Sequence, residues 1–435
     1  MKRHIWGGLC ALGILAMPIQ AYAAASCGGT YQPRLTSAQA GMIEENEPLT
    51  LDQVLTQIRH ASPEVRAAAL ETKARAAEAR QAGRWLNPSL SLEVENFGGD
   101  GAFDGFDQSD RTYAISQTLQ LGGKRQKQVR AARALEALGS AQCETILREA
   151  ELEAALSFYD LHATIQLAEM ADSAADLAVR FRDTVIKRYE AGAAAPPDVS
   201  RAKTEAARLQ AAAADLQAQI IVEKLALAAL WGADTARFGN PIITATQAAP
   251  SQGEVSSHPA IVAAAASLEA SRAQEQLERV RIIPDITVSA GVREFEATGE
   301  SALVAGLEVP LPLFDRNRDA ADAAAFRAQA SAIDAEATEA RLRARLQSSI
   351  AQQQAARRQL DLLQSSALPE AQSAHDAAIR GYQAGKFDLT ATLDARQALI
   401  DTQIAVIESN RKLNAENVLL QSLIGAAPFS EGDMQ

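Results

Sequence analysis

The sequence predicts a mainly α fold with a small β part, organised as a twofold internal repeat: a long α-helical barrel with four amphipathic β-strands per chain. Three observations carry this. Trp85-Leu86-Asn87-Pro88-Ser89-Leu90-Ser91-Leu92 returns 196 residues later as Arg281-Ile282-Ile283-Pro284-Asp285-Ile286-Thr287-Val288. Tyr189-Glu190-Ala191-Gly192 returns as Tyr382-Gln383-Ala384-Gly385, and Trp231-Gly232 as Ile424-Gly425, both 193 residues on. A tandem period of this size marks a structural unit. Each unit reads helix, strand, strand, very long helix, turn, helix, an order that an ordinary coiled coil lacks.

Residues 1–23 read as a signal peptide. Lys2 and Arg3 precede the apolar run Ile5–Met17, and Ala21-Tyr22-Ala23 fits an A-x-A cleavage site. The run is too short for the ~20 residues of a membrane-spanning helix. The chain carries a net charge of −12, and removing Lys2 and Arg3 takes it to −14. Such acidity argues against nucleic acid as a partner. Residues 24–48 form a polar, flexible leader. Of the two cysteines left after cleavage, Cys27 lies in this leader and Cys143 in a helical stretch, so no disulfide framework is expected. Cys27 is a candidate lipidation site, although Ala24-Ala25-Ser26-Cys27 lacks a large aliphatic residue three before the cysteine.

The first repeat spans 49–232. A helix begins at Thr50, with Leu51, Val54, Leu55 and Ile58 on one face, and Asn87-Pro88 stops it near Leu86 after a break at Pro63. A β-hairpin follows over 89–121. Ser89–Phe97 alternates polar and apolar, Gly98–Asp110 is a loop, and Tyr113–Leu121 alternates again. Gly122-Gly123-Lys124-Arg125 turns the chain into a long helix, 124–190, with no proline and one glycine. Leu167, Met170, Ala174, Leu177 and Phe181 follow the 3-4 spacing of a coiled-coil seam. A return helix covers 198–231, and 233–254 is a linker rich in Pro, Thr and Ala.

The second repeat, 255–425, has the same parts: a helix to about Ile283, a hairpin over 286–313, a long helix over 314–384 and a return helix over 388–424. Pro310 and Pro312 belong at a strand end or edge, and Pro369 is expected to kink the long helix. Residues 426–435 form a tail. By length, helices 198–231 and 255–283 stack to match one long helix, and 50–86 and 388–424 to match the other.

Each strand has the ~9–11 residues that cross an outer membrane at a tilt. Four strands cannot close, and an open edge in lipid leaves backbone groups unpaired. Three chains supply twelve strands and twelve helical rods, one per strand, so a homotrimer closing a 12-stranded barrel is the favoured state; a tetramer stays open. Nothing after residue 23 reads as a transmembrane helix.

No catalytic constellation is present, and neither cofactor nor metal site is expected. His60, His162, His258 and His375 form no ligand spacing with another His or Cys. Methionine is scarce and unclustered, so no soft metal site is visible. Gly-rich Phe97–Gly105 precedes no helix in a phosphate-loop arrangement.

The twofold repeat, Leu119-Gln120-Leu121-Gly122-Gly123-Lys124-Arg125, Pro310-Leu311-Pro312-Leu313-Phe314-Asp315-Arg316-Asn317 and both Tyr-x-x-Gly turns together resemble the TolC-like outer membrane efflux family over about 49–425. The Gly-Gly-Lys-Arg turn is most like its heavy-metal cation branch, the CzcC-like and CusC-like proteins. The resemblance implies a passive, non-enzymatic exit duct across periplasm and outer membrane. Its partners would be outer membrane lipid, a periplasmic adaptor protein and an inner-membrane pump of the RND type. It makes Tyr189, Gly192, Tyr382 and Gly385 the adaptor-docking tips. The family's aspartate gate, Asp-x-x-Asp-Ala, is matched by Ala391-Thr392-Leu393-Asp394-Ala395, so Asp394 is a gate candidate and the first aspartate is missing. Asp198 and Asp388 are further candidates, each also suited to capping a helix start. A multidrug or type I secretion duct of the same fold, and a soluble periplasmic coiled-coil adaptor or scaffold, are the alternatives.

Overall fold

The computed structural model describes residues 25–26, 29–30, 47–243 and 254–424. The signal peptide, Cys27 and the 426–435 tail lie outside them. Two residue pairs, β1 (Ala25–Ser26) and β2 (Gly29–Thr30), run antiparallel ahead of the main body.

Helix α1 (Leu51–Ala61) opens with a capping box. The Gln53 amide donates to Thr50 Oγ1, and the Thr50 amide donates to the Gln53 side chain at 2.8 Å. The break expected at Pro63 divides the 50–86 stretch into two helices. Ser62, held extended before a proline, ends α1, and α2 (Pro63–Ala82) restarts on Pro63, whose missing N–H costs nothing in a first turn. Strands β3 (Ser89–Glu95) and β4 (Asp110–Leu119) form the first hairpin. Gly122 and Gly123 then adopt φ of 66° and 72°. At Gly122 a Cβ would also sit 2.4 Å from Ile283 Cδ1, so this turn requires glycine. Lys124 pairs with Asp285 at 2.7 Å. Arg125 lies over the Trp85 ring at 4.6 Å and donates to the Gly83 carbonyl. The Gly-Gly-Lys-Arg motif thus fastens the strand-to-helix junction.

Helix α3 (Lys124–Glu190) is unbroken for 67 residues, roughly 100 Å at 1.5 Å per residue. Helix α4 (Pro196–Ala229) returns along it. It starts two residues earlier than expected because Pro196 is tolerated in its first turn. Helix α5 (Pro259–Val280) leads into β5 (Ile286–Phe295) and β6 (Glu300–Glu308). The hairpin stops short of 313, with Pro310 and Pro312 beyond the strand end.

The second long rod is α6 (Arg318–Leu362), a five-residue π-helical turn (Leu363–Ala367) and α7 (Leu368–Gln383). Pro369 has no N–H for the carbonyl four residues back and its ring crowds that carbonyl, so one turn widens. The rod carries a π-bulge where α3 has none. Helix α8 (Leu389–Leu423) closes the chain, with Asp388 as its N-cap.

The sheet order is β3-β4-β5-β6, all antiparallel. Beneath it α3 packs against α2 and α5, and α5 against α6. The helix order α2-α3-α5-α6 therefore copies the strand order, and every strand continues into one helix. In the lower half α4 packs on α3, α3 on α8, and α8 on the α6–α7 rod. The short helices stack as α2 over α4 and α5 over α8, which corrects the pairing drawn from length. Leu227 and Ala228 of α4 share a core with Val54, Leu55 and Ile58 of α1. Leu420 and Leu423 of α8 share one with Val255 and Ile261.

The largest core sits at this stacking level around Phe158, 1% exposed, and Leu161. Below it the seam is alanine: Ala171, Ala174, Ala175 and Ala178 against Ala206 and Ala213. Leu177, expected in the seam, is 48% exposed, because the buried stripe runs through its smaller neighbours. No disulfide framework is expected from the sequence, whereas Cys143 is disulfide-bonded. Among the described residues, no helix is long and apolar enough to cross a membrane.

Candidate functional site

The sheet has two chemically opposite faces. Paired residues share a face, so the register places Leu90, Leu92, Tyr113, Ile115, Val292, Leu303 and Leu307 on one side. These side chains are exposed, Leu303 by 88%. Ser89, Ser91, Glu93, Glu95, Thr112, Ser116, Thr118 and Ser289 take the other. There Arg293 bridges Glu95 at 2.8 Å and Thr112 at 2.9 Å. An exposed apolar face is costly in water and matched to lipid.

The opposite end holds both Tyr-x-x-Gly turns. Gly192 and Gly385 have φ of 75° and 72°, the left-handed backbone that ends a helix and reverses the chain. The two turns are brought together but differ. Tyr189 is 45% exposed, whereas Tyr382 is 5% exposed and packs at 5.2 Å against Phe181 of α3. Arg188 joins them: its Nη1 donates to the carbonyls of Tyr382 and Gln383, and its guanidinium lies 4.6 Å from the Tyr382 ring centroid. Burial pushes the Tyr382 hydroxyl up, Asp198 pushes the same way and Arg188 opposes them.

Arg396 of α8 is 5% exposed and lies over Phe181 at 4.6 Å. Burial lowers its pKa, with Glu205 opposing. Arg201 donates to Thr390 and Arg208 to Gln397, tying α4 to α8. The first hairpin is thus riveted to the second by arginines. None was singled out from the sequence. A signal existed: at the repeat offset Arg188 faces Gly381, where a Cβ would sit 2.2 Å from Phe387. The halves depart from each other where they touch.

The three candidate aspartates occupy unlike positions. Asp198 accepts from the Ala195 amide at 3.1 Å and Asp388 from the Ala391 amide at 2.8 Å, so both cap helix starts. Asp394 lies further along α8 and is exposed. No group of three or more His, Cys, Asp or Glu arranged to hold a metal ion occurs among the described residues.

Comparison with known proteins accounts for this architecture. The family model "Outer membrane efflux protein" matches residues 54–233 and 252–426. The chain is 29% identical over 365 residues to the cobalt-zinc-cadmium resistance protein CzcC of Cupriavidus metallidurans, covering 82% of this chain and 85% of that protein. It is 29% identical over 296 residues to the nickel-cobalt-cadmium resistance protein NccC of Alcaligenes xylosoxydans xylosoxydans, covering 67% of each. The crystal structure of the outer membrane protein VceC of Vibrio cholerae superposes with a TM-score of 0.74 at 23% identity, covering 86% of this chain and 96% of that one. The alternative of a soluble adaptor or scaffold falls here, since the match covers both repeats and their strands. With its lipid-matched sheet continued by helical rods, the chain belongs to the outer membrane efflux protein family, whose members are channels of the outer membrane reaching into the periplasm and not enzymes.

Proposed function

We propose that this chain is the exit duct of a tripartite system that expels heavy-metal cations, working as a homotrimer with a periplasmic adaptor and an inner-membrane pump of the RND type. The observation that carries the reading is the one-to-one continuation of strands into helices, with both edges left open. Among the described residues, β3 and β6 each pair on one side only. The helices at the edges expose large apolar side chains: Leu70 on α2 against Phe326 and Ile333 on α6, and Ile221 and Val222 on α4 against Leu362 on the α6–α7 rod. Such edges suit further copies of the chain, and three copies give the twelve strands a closed barrel accepts. The acidic inner face of the sheet and the resistance proteins CzcC and NccC support cations as cargo.

Asp394 is proposed as the gate residue. It is exposed near the tips, and three symmetry-related carboxylates at a narrow pore favour cations. Asp198 and Asp388 are proposed to act as helix caps first. Gly192 and Gly385, with Tyr189 and Tyr382, are proposed as the ends that the adaptor meets. The test is reconstitution. Detergent-extracted protein should weigh three chains by light scattering and give cation-preferring conductance in planar bilayers. A monomer that yields no conductance sinks the reading.

A further inference from the structure

Between the two tips lies a shallow, solvent-open cavity of about 470 Å³, lined by Thr184, Lys187 and Arg188 on one side and Gln383, Ala384 and Gly385 on the other. Its charged lining is one-sided, with Lys187 and Arg188 and no acidic side chain. The carbonyls at both helix ends are occupied: Lys187 and Tyr189 accept from Ala191 and Gly192, Arg188 from Ala193, Arg380 and Tyr382 from Ala384 and Gly385. The donors are not. Arg188 spends Nη1 on the opposite tip, while its Nε is buried with no hydrogen-bond partner. Lys187 is exposed and makes no ion pair among the described residues. Of the nearby carboxylates, Asp183 pairs with Arg182 at 2.7 Å and Asp198 accepts from the Ala195 amide, while Glu190 is exposed beside the tip.

Charge points the same way. Residues 180–203 and 380–396 hold nine basic side chains against five acidic ones, in a chain whose net charge is −12. The negative ends of two helix dipoles also lie here, but several of their carbonyls are bonded, and Lys187 and Arg188 are the charged side chains of the lining. We infer that this cavity is a socket for a carboxylate side chain carried at the end of a periplasmic partner's helical hairpin. The inference rests on the adaptor-coupled duct proposed above and adds the chemistry by which the tips select their partner. A carboxylate entering from below meets Lys187 first and then supplies the acceptor that Arg188 Nε lacks, a charge-assisted pairing.

The test uses full-length protein in cells lacking this chain but holding its own pump and adaptor. Wild type should restore growth in Co²⁺, Zn²⁺ or Cd²⁺; if it restores none, the duct reading fails and the socket with it. Given restoration, Lys187→Glu should lower survival at least tenfold at unchanged outer membrane amounts, and Lys187→Gln less. Suppressors of Lys187→Glu should map to an acidic residue at the adaptor's hairpin end, changed to Lys or Arg. Full survival with Lys187→Glu, or suppressors confined to apolar adaptor positions, overturns the socket while leaving the duct standing.

Discussion

The two halves share one fold and divide its labour. The first has an unbroken long helix and a tip that reaches out; the second has a π-bulged rod and a tip that is gripped. Arg188 of the first tip holds the Tyr382 and Gln383 carbonyls of the second, while Gly381, its counterpart by repeat, makes room for Phe387. A duplicated unit thus acquires two unlike tips by a few changes at the seam.

The strongest way to break the contrast is to give the first rod the proline of the second. Asp176 is exposed on α3 and sits at the repeat position of Pro369. Asp176→Pro should cost about 3 kcal/mol or more, the usual price of a mid-helix proline, read as a large fall in thermal stability. Pro369→Ala should leave stability equal or higher. If both changes act alike, the rods do not differ as argued.

Next in size is the rivet between tips. Arg188→Ala removes charge-assisted hydrogen bonds and a ring contact, on the order of 1–3 kcal/mol. Its effect should fall on the entrance: larger open conductance in planar bilayers with an unchanged unfolding midpoint for the upper half. Gating unaltered by Arg188→Ala would show that the hairpins are held elsewhere.

The aspartates separate cap from gate. Asp388→Ala should cost ~1 kcal/mol through its lost cap with little change in selectivity. Asp394→Asn should leave stability alone and shift the reversal potential toward lower cation preference. The opposite pattern would exchange their roles.

The smallest effect concerns α2 and α5, the two upper stacking helices, both of which begin on proline. Ser62 makes no side-chain cap, whereas His258 accepts from the Ala260 amide at 3.1 Å through Nδ1. Burial, Arg148 and Arg345 hold His258 below its ordinary pKa of 6.5. A base depressed in the folded state stabilises above its unfolded pKa, so this contribution should fade as pH drops from about 6.5 through the lower folded value. His258→Asn keeps a capping side chain and should flatten that slope in thermal melts.

Much of this architecture is legible in the sequence because it is periodic. Alternation in Ser89–Glu95 and the long proline-free stretch from Lys124 are local signals, and helix and strand follow from them. Vertical stacking was not local. Two helices of similar length fit either partner, and only the packing of Leu227 on Ile58 settles which. The alanine seam is only half legible: the 3-4 spacing selects the large Leu177, while close helix packing selects Ala175 and Ala178 beside it. Arg188 escaped because its work is done across 194 residues of chain, with a backbone carbonyl that has no sequence signature.

The continuation of each strand into one helix has a geometric consequence. A strand takes up about 4.8 Å of sheet, or roughly 6–7 Å of circumference when tilted near 45°, whereas a packed helix takes up about 8–10 Å. With equal numbers of each, the mid-values make the wall broaden by roughly a third where it changes from strand to helix. The junction is a flare. The Lys124–Asp285 pair and the Arg125 grip on Trp85 and Gly83 sit at this collar, bracing a funnel whose wide side is the periplasmic chamber.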